Sequence, residues 1–489
     1  MSPSVEPFNE AKYKALIDGL ECSEVLFSYL TKSNDIFRID SSFFAKKYLL
    51  HEQKLSKFPH TTLGKTGAEI KSFGAYSLNN EVEYVPDGIP FLRCLNIKNG
   101  FINDANMLFI TPDAHKLLWK SEVHPNTFLL TMSGTIGNAA IADNNLNYPI
   151  NSNQDIAKVH FHGKYSNQVA LAFFMSRYGF YQIEREARGS VQQHVFLSQL
   201  ETLRLPCFCE LLVRAIEHCV IQSYSLQKKS YQLYEEAQQM LEDHLEISAI
   251  HKTGAIVSIE LLSQSFGATG RLDAEYYQEK YQAYESAVFS SASGYSFVKN
   301  EFLPIKAKCS RNLASYNYIE IGDISIGSGN ASFNTINTGD LPDNAKIMTK
   351  RGDILVSTVR PNRGAVAILE QNDFLVSGAF TVLREKGSYP KEVLQVLLRT
   401  KIYKDWLLRF NVGTSYPVIK DEDVLNMPIP LLEDSIKQDV VNRVNKSASL
   451  RRQSKQLLEY ARRAVEMAIE QGEDIALAWL EDELSQMEV

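Results

Sequence analysis

The stretch SLQKKSYQLYEEA, Ser225 to Ala237, returns as SLRRQSKQLLEYA, Ser449 to Ala461, with seven of thirteen positions identical at an offset of 224 residues. The same offset lays GSVQQHVFLSQLETLRLP, Gly189 to Pro206, on GTSYPVIKDEDVLNMPIP, Gly413 to Pro430. Gly189 then answers Gly413, Ser190 answers Thr414 and Pro206 answers Pro430. Nearer the start, RIDSSFFAKKY from Arg38 pairs with RLDAEYYQEKY from Arg271 at an offset of 233, a change that loop insertions inside a duplicated unit produce. A period this long exceeds that of any solenoid repeat. It implies two copies of one globular domain, each followed by a helix.

The boundaries follow from the repeat: a first domain over 1–206, a helix over 207–250, a second domain over 251–430, and a second helix with an acidic tail over 431–489. Each domain reads as mixed α/β. In the first, GIPFLRCLNI (Gly88 to Ile97) and NTFLLTMSGTIGNAAIA (Asn126 to Ala142) read as strands broken by turns, and Gln168 to Arg185 as one helix. The second repeats that order with NYIEIGDISI, with GDILVSTVRPNRGAVAIL from Gly352, and with a helix from Lys391 to Phe410.

Along the first long helix, Leu212, Cys219, Leu226, Leu233, Met240 and Ile247 recur every seven residues, and Ile216, Ser223, Ser230, Ala237 and His244 form a second column. The other helix carries Val440, Ser447, Ser454, Ala461 and Ala468, beside Leu450 and Leu457. This is a heptad seam with one unusually small column, which lets two backbones approach toward the ~8 Å end of helix packing distances. Because both helices carry the small column, the pattern predicts that they pair with each other, antiparallel, through Leu226, Ser230, Leu233 and Ala237 against Leu450, Ser454, Leu457 and Ala461. Tyr231, Tyr234, Glu235 and Glu459 are expected to face outward.

With 44% hydrophobic and 22% charged residues, the composition is that of an ordinary globular protein. The first twenty residues lack the basic start and apolar run of a secretory signal, and no apolar stretch is long enough to span a membrane, so a cytoplasmic protein is expected. Six cysteines at irregular spacing do not make a disulfide framework or a metal site. The net charge of −7 is carried by the helical segments: 207–250 and 431–489 are each −4, leaving the two domains together at +1. The domains are therefore not electrostatically barred from DNA, although their own footprint on it is weak.

Enzymatic motifs are missing. TTLGKTG (Thr61 to Gly67) lacks the upstream glycine of a phosphate loop, where Pro59 stands. There is no Asn-Pro-Pro-aromatic or Asp-Pro-Pro-aromatic segment for amino-group methylation, and no zinc-deaminase signature. The polar loops are better candidates. SGTIGN offers Ser133, Thr135 and Asn138, and the block after the domain's helix offers Arg188, Ser190, Gln192, Gln193 and His194. The second copy offers Arg360, Asn362 and Arg363 in STVRPNRG, then Thr414, Ser415 and Tyr416. Arg and Asn suit bidentate contacts with guanine and adenine edges, while Ser and Thr suit phosphates. The frame repeats while its polar residues differ, as a two-part sequence detector requires.

The paired blocks Gly189 to Pro206 and Gly413 to Pro430, followed by the paired helical stretches, resemble the specificity subunit of type I restriction-modification systems over essentially the full length. The resemblance implies two target-recognition domains, each reading one half of a bipartite site in double-stranded DNA. Antiparallel helices would fix the gap between the halves, in a pseudo-twofold arrangement. It implies a non-catalytic chain without a cofactor or membrane association. S-adenosylmethionine would be bound by two modification subunits that methylate adenine N6, and ATP and Mg²⁺ by restriction subunits. Two departures stand out. Gln192 and Gln193 face Tyr416 and Pro417 across the repeat, and the tail from Gly472 has no counterpart after the first helix. Two other classes remain open from residues alone: a self-contained nuclease or methyltransferase, and a duplicated scaffold that binds only proteins.

Overall fold

The computed structural model describes residues 8–20, 23–32, 38–72, 82–103, 107–144, 146–189, 193–245, 259–413 and 415–487. The chain is mixed helix and strand, and it divides into two compact units. The first comprises residues 1–103, 107–224 and 455–489, and the second residues 104–106 and 225–454. Both long helices, Glu210–His244 and Asp434–Gln471, are shared between the units, so neither helix forms a body of its own.

The first unit holds an antiparallel sheet in the order Ala139–Ala142, Thr127–Thr131, Ile156–His160, Glu69–Lys71. A five-stranded sheet contains one parallel pair, Ile89–Leu92 with Ile150–Ser152. The second unit repeats this. Val366–Ile368, Ile354–Ser357, Phe380–Glu385 and Phe302–Pro304 are antiparallel in the corresponding order, and Ser315–Ile319 runs parallel to Phe374–Ser377. In both units a two-stranded ribbon joins an early strand of the domain to its last. His60 lies opposite Pro206 in one, and Tyr295 opposite Pro430 in the other. The matched prolines thus close each domain.

The RID and RLD segments are paired in structure as well. Arg38 forks onto Asp40 through two 2.8 Å bonds and donates to the Arg185 carbonyl at 3.0 Å. Arg271 forks onto Asp273 at 2.8 and 2.6 Å and donates to the Asn411 carbonyl at 2.8 Å. These forks hold both carboxyls below the usual carboxylate range. Each unit adds a second guanidinium over an aromatic ring: Arg185 over Phe43 at 4.1 Å, and Arg409 over Tyr276 at 4.6 Å.

Two expectations about elements need correction. The helix expected over 168–185 breaks into Asn167–Met175 and Arg177–Glu186, and that over 391–410 into Lys391–Arg399, Lys401–Trp406 and a final 3₁₀ turn. The cause is a hydroxyl residue at the matched position. Ser176 and Thr400 take extended backbone geometry, donate to the carbonyl three residues back at 2.6 and 2.7 Å, and accept from the N–H three residues on. Glutamates of the long helices hold the same breaks: Glu466 accepts from the Arg177 N–H at 2.9 Å, and Glu242 from the Lys401 N–H at 3.3 Å. Likewise the strands expected over 88–97 and within 317–326 stop early. Each gives way to a 3₁₀ turn because Asn96 and Asp323, both buried, accept from the N–H groups of Arg93 and Glu320 at 3.0 Å.

Within the second unit the two helices run antiparallel. The Ser230 and Ser447 hydroxyls are 3.0 Å apart, and Glu236 pairs with Arg443, so numbers rise on one helix as they fall on the other. Ser230, Ala237, Ser447, Leu450 and Ser454 are buried there, while Leu226 and Leu233 are half-buried. In the first unit Ser223, Leu457, Ala461 and Ala468 are buried. Tyr231 is half-buried, and Glu235 and Glu459 are exposed, but Tyr234 is not outward: it is buried beside the small column, under the Arg399 guanidinium at 4.5 Å. Ile247 lies outside the described residues.

The tail is not a loose acidic end. After Gly472, whose φ of 109° allows the bend, Glu473–Gln486 forms a helix whose Trp479 ring packs edge-on against Tyr460 at 5.7 Å. Glu473 accepts from the Cys209 N–H at 2.9 Å. Among the described residues no helix is long and apolar enough to cross a membrane.

Candidate nucleic-acid interface

In each unit the hairpin loop and the loop that follows the domain's helix are hydrogen-bonded to one another. In the first, the Val195 N–H donates to the Met132 carbonyl at 2.8 Å, and Ser133 bridges His194. In the second, the Ile419 N–H donates to the Thr358 carbonyl at 2.9 Å, and Val359 bridges Val418. The donors are 224 residues apart and the acceptors 226. Two candidate loops distant in sequence therefore form one surface in each copy, by the same bonds.

The surface chemistry differs. In the first copy Thr135 and Gln193 are exposed and His194 is half-buried, with its ring 4.9 Å from Phe196. Ser133 is buried, and the Asn138 amide donates to the Ile97 carbonyl at 3.0 Å. Both therefore shape the loop instead of presenting a polar group on it. The loop is further tied by Thr131, whose hydroxyl donates to the Thr135 carbonyl and accepts from the Asn138 N–H. Arg188 is half-buried and exchanges both backbone hydrogen bonds with His194, at 2.9 and 2.7 Å, while its buried Nε has no partner. Ser190 and Gln192 lie outside the described residues.

Beneath this loop Asp155 accepts from the Met132 N–H at 2.7 Å through its backbone carbonyl. Burial pushes its carboxyl up, against the opposing pull of His194. The neighbouring Cys94 thiol is pushed up to about 12, chiefly by burial, so it is protonated at neutral pH and inert as a nucleophile.

In the second copy Arg360, Asn362, Arg363, Ser415 and Tyr416 are all exposed. Arg360 takes the left-handed conformation, with φ 51°, because its N–H is drawn to the Pro417 carbonyl at 2.7 Å. Its guanidinium then stands 5.6 Å from the centre of the Tyr416 ring. Arg360, Arg363 and Tyr416 line a cleft of about 290 Å³ with an apolar wall that includes Ile321, Ile324 and Ile326. Thr414 lies outside the described residues.

The Ile321–Ile326 wall is the part of the site that sequence reading missed. Its residues look like ordinary strand, and the available signal was the Glu320-x-x-Asp323 spacing, which ends the strand and starts the turn.

No protein-family model and no curated protein sequence matches this chain. Among solved structures, the S subunit of a type I restriction-modification system from M. genitalium is similar at 13% identity and a TM-score of 0.37, over 86% of this chain and 96% of that one. The HsdS subunit from Thermoanaerobacter tengcongensis is similar at 12% identity and a TM-score of 0.26, over 85% of this chain and 97% of that one. A chain from a structure describing complex assembly and conformational transition of the type I R-M system is similar at 12% identity and a TM-score of 0.27, over 83% and 97%. At these scores and identities the likenesses carry no argument about individual residues or chemistry.

Proposed function

We propose that this chain is the DNA-specificity subunit of a type I restriction-modification system, each copy reading one half of a bipartite target in the cytoplasm. The observation that supports this best is the repeated bond between two loops, Val195 to Met132 and Ile419 to Thr358, which holds one surface in the same frame while its exposed side chains change. Arg360, Asn362 and Arg363 suit base edges in the second copy, and Thr135, Gln193 and His194 offer smaller polar contacts in the first. In this reading the helix pair sets the gap. Catalysis belongs to partners: two modification subunits that methylate adenine N6 with S-adenosylmethionine, and restriction subunits that use ATP and Mg²⁺. The purified chain alone is expected to turn over no DNA, since its sequence carries no methylation or phosphate-loop motif, and to bind DNA weakly, because its domains together carry only +1.

The deciding experiment exchanges residues 251–430 for the equivalent domain of a relative, in a complex with modification subunits, and maps methylated adenines. One half of the recognised sequence should change, while the other half and the gap stay. Changes in both halves would refute the division of labour, and turnover by the isolated chain would favour a self-contained enzyme. A seven-residue insertion after Leu226, matched after Leu450, should lengthen the gap by about three base pairs, at ~1.5 Å per helical residue and ~3.4 Å per base pair.

A further inference from the structure

The wall Ile321–Ile326 continues into a tight turn, closed by the Ser325 N–H to the Asn330 carbonyl and the Gly329 N–H to the Ser325 carbonyl, both at 2.8 Å. Three side chains from helices hold that turn. Arg399 donates to the Ile326 carbonyl, Gln395 to the Gly329 carbonyl at 2.9 Å, and Arg451 to the Asn330 side chain at 3.2 Å. Arg451 belongs to the long C-terminal helix, where the same guanidinium reaches the Ser447 hydroxyl at 3.0 Å and the Ser230 hydroxyl at 3.4 Å. Arg399 and Arg451 are each 5% exposed. Among the described residues no carboxylate forms an ion pair with either, and each keeps one buried nitrogen without a partner.

The first copy makes the matching contact without charge. At the 224-residue offset Arg399 corresponds to Met175 and Tyr234 to Leu458. There the turn glycine is Gly100, where an added Cβ would lie 2.8 Å from Leu458 and 2.9 Å from Met175. In the second copy an added Cβ on Gly329 would overlap Arg399. Both glycines have positive φ, 82° and 66°. The Gly100 carbonyl there accepts from the Tyr224 hydroxyl at 2.6 Å, as the Gly329 carbonyl does from Gln395. Since uncharged contacts serve the same fold in the same chain, the fold itself does not demand two buried guanidiniums without carboxylate partners. A planar fork with several donors fixes direction, which methyl and thioether groups do not.

We propose that Arg451, with Arg399, is a positioning residue for recognition: it holds the wall of the second copy's cleft in register with the helix seam, so that half-site selection depends on a helix residue that does not face the cleft. This rests on the proposed function, and its test separates the two. Arg451→Gln places in the seam the residue that Gln227 supplies at the matching position, and Asn330→Ala removes the same bond from the other side without touching the helices.

In the purified full chain, hydrogen exchange at the Ser325 and Gly329 amides should quicken about tenfold in both variants, as loss of a charge-assisted bond implies. Exchange in the first copy should stay as in the wild type. In the complex with modification subunits, methylation should lose about tenfold in selectivity at the second half-site alone. Arg451→Lys, which keeps the charge without the fork, should not restore it. Unchanged exchange in both variants would overturn the clamp, and quickened exchange with unchanged selectivity would overturn its role in recognition. A wild-type complex without sequence-selective methylation would instead overturn the proposed function, while quickened exchange would still identify the clamp. Should Arg451→Gln fail to fold, Asn330→Ala decides alone.

Discussion

The hairpin loops of the two copies leave equivalent strands and dock on equivalent partners, yet they spend their residues differently. SGTIGN is small and turned inward: Ser133 is buried, Asn138 holds the backbone at Ile97, and Thr131 laces the loop from below. STVRPNRG is bound mainly through its backbone, by Arg360 to Pro417 and by a 3₁₀ turn over Pro361–Arg363, and its long side chains are left outside. The contrast teaches that the frame is specified by hydrogen bonds any residue can make. Side chains are then free to diverge wherever the backbone alone suffices.

A second contrast lies in the strands. Lys158 pairs with Leu129 in the first copy, and Val382 pairs with Leu355 at the corresponding place in the second. Lys158 is 1% exposed, with its ammonium on the Ser152 hydroxyl at 2.8 Å and the Ile156 carbonyl at 3.3 Å. Burial lowers its pKa to about 7.

Importing valine offers the strongest way to erase this difference. The unfolded lysine binds its proton up to about pH 10.4, whereas the folded one releases it near 7, so the cost of burying the charge is full below about pH 7 and is relieved as the pH rises toward 10. Between pH 10 and pH 6 the stability difference should therefore shift in favour of Lys158→Val by about 3–5 kcal/mol. That shift should be lost steadily as the pH rises from 7 to 10. Cys94 and Cys219, whose thiols burial pushes up to about 12, act alike in both proteins and cancel from the difference. Denaturant melts at pH 6, 8 and 10 measure it, and a gap independent of pH would mean that the lysine is not held as described.

Arg360→Ala and Arg363→Ala sharpen the comparison of the loops. An arginine that reads a base should relax specificity at one position by about 1–3 kcal/mol, whereas one that binds phosphate should weaken all sequences alike and reduce the salt slope by about one. Either effect should be confined to the second half-site. Binding of the assembled complex to mismatched targets at several salt concentrations separates them, and two silent substitutions would make this loop a structural turn. The smallest effect tests sameness: Ser176→Ala and Thr400→Ala should each cost about 1 kcal/mol, the usual worth of an N-cap, with similar values in the two copies. Urea midpoints of the two variants provide that check.

The duplication was legible because it is written in residues that hold the frame: the small seam residues Ser230 with Ser454 and Ala237 with Ala461, the forked Arg-x-Asp segments, and the closing prolines. The pairing of the loops was not, since the bonds between them are backbone bonds that carry no residue signature. Lys158 was hidden for a related reason. In an alternating strand such as IAKVH a lysine reads as a solvent-facing position, and only the second layer of structure over that face buries it. Ser133 and Asn138 show the converse, being polar loop residues that point inward. Tyr234 was misplaced because one residue's rotation around a helix separates an outward face from a seam.

The two-stranded ribbons have a consequence for heredity. Because His60 lies opposite Pro206 and Tyr295 opposite Pro430, the stretches 60–206 and 295–430 each begin and finish at adjoining points of the chain, as neighbouring strands lie about 5 Å apart. A gene segment cut at those points encodes a cassette whose two ends meet. Recombination between relatives that keep the outside partners of the cassette, Arg38 on the Arg185 carbonyl and Arg271 on the Asn411 carbonyl, should then replace it as a unit, and circular permutation through the same point should be tolerated because the ends adjoin.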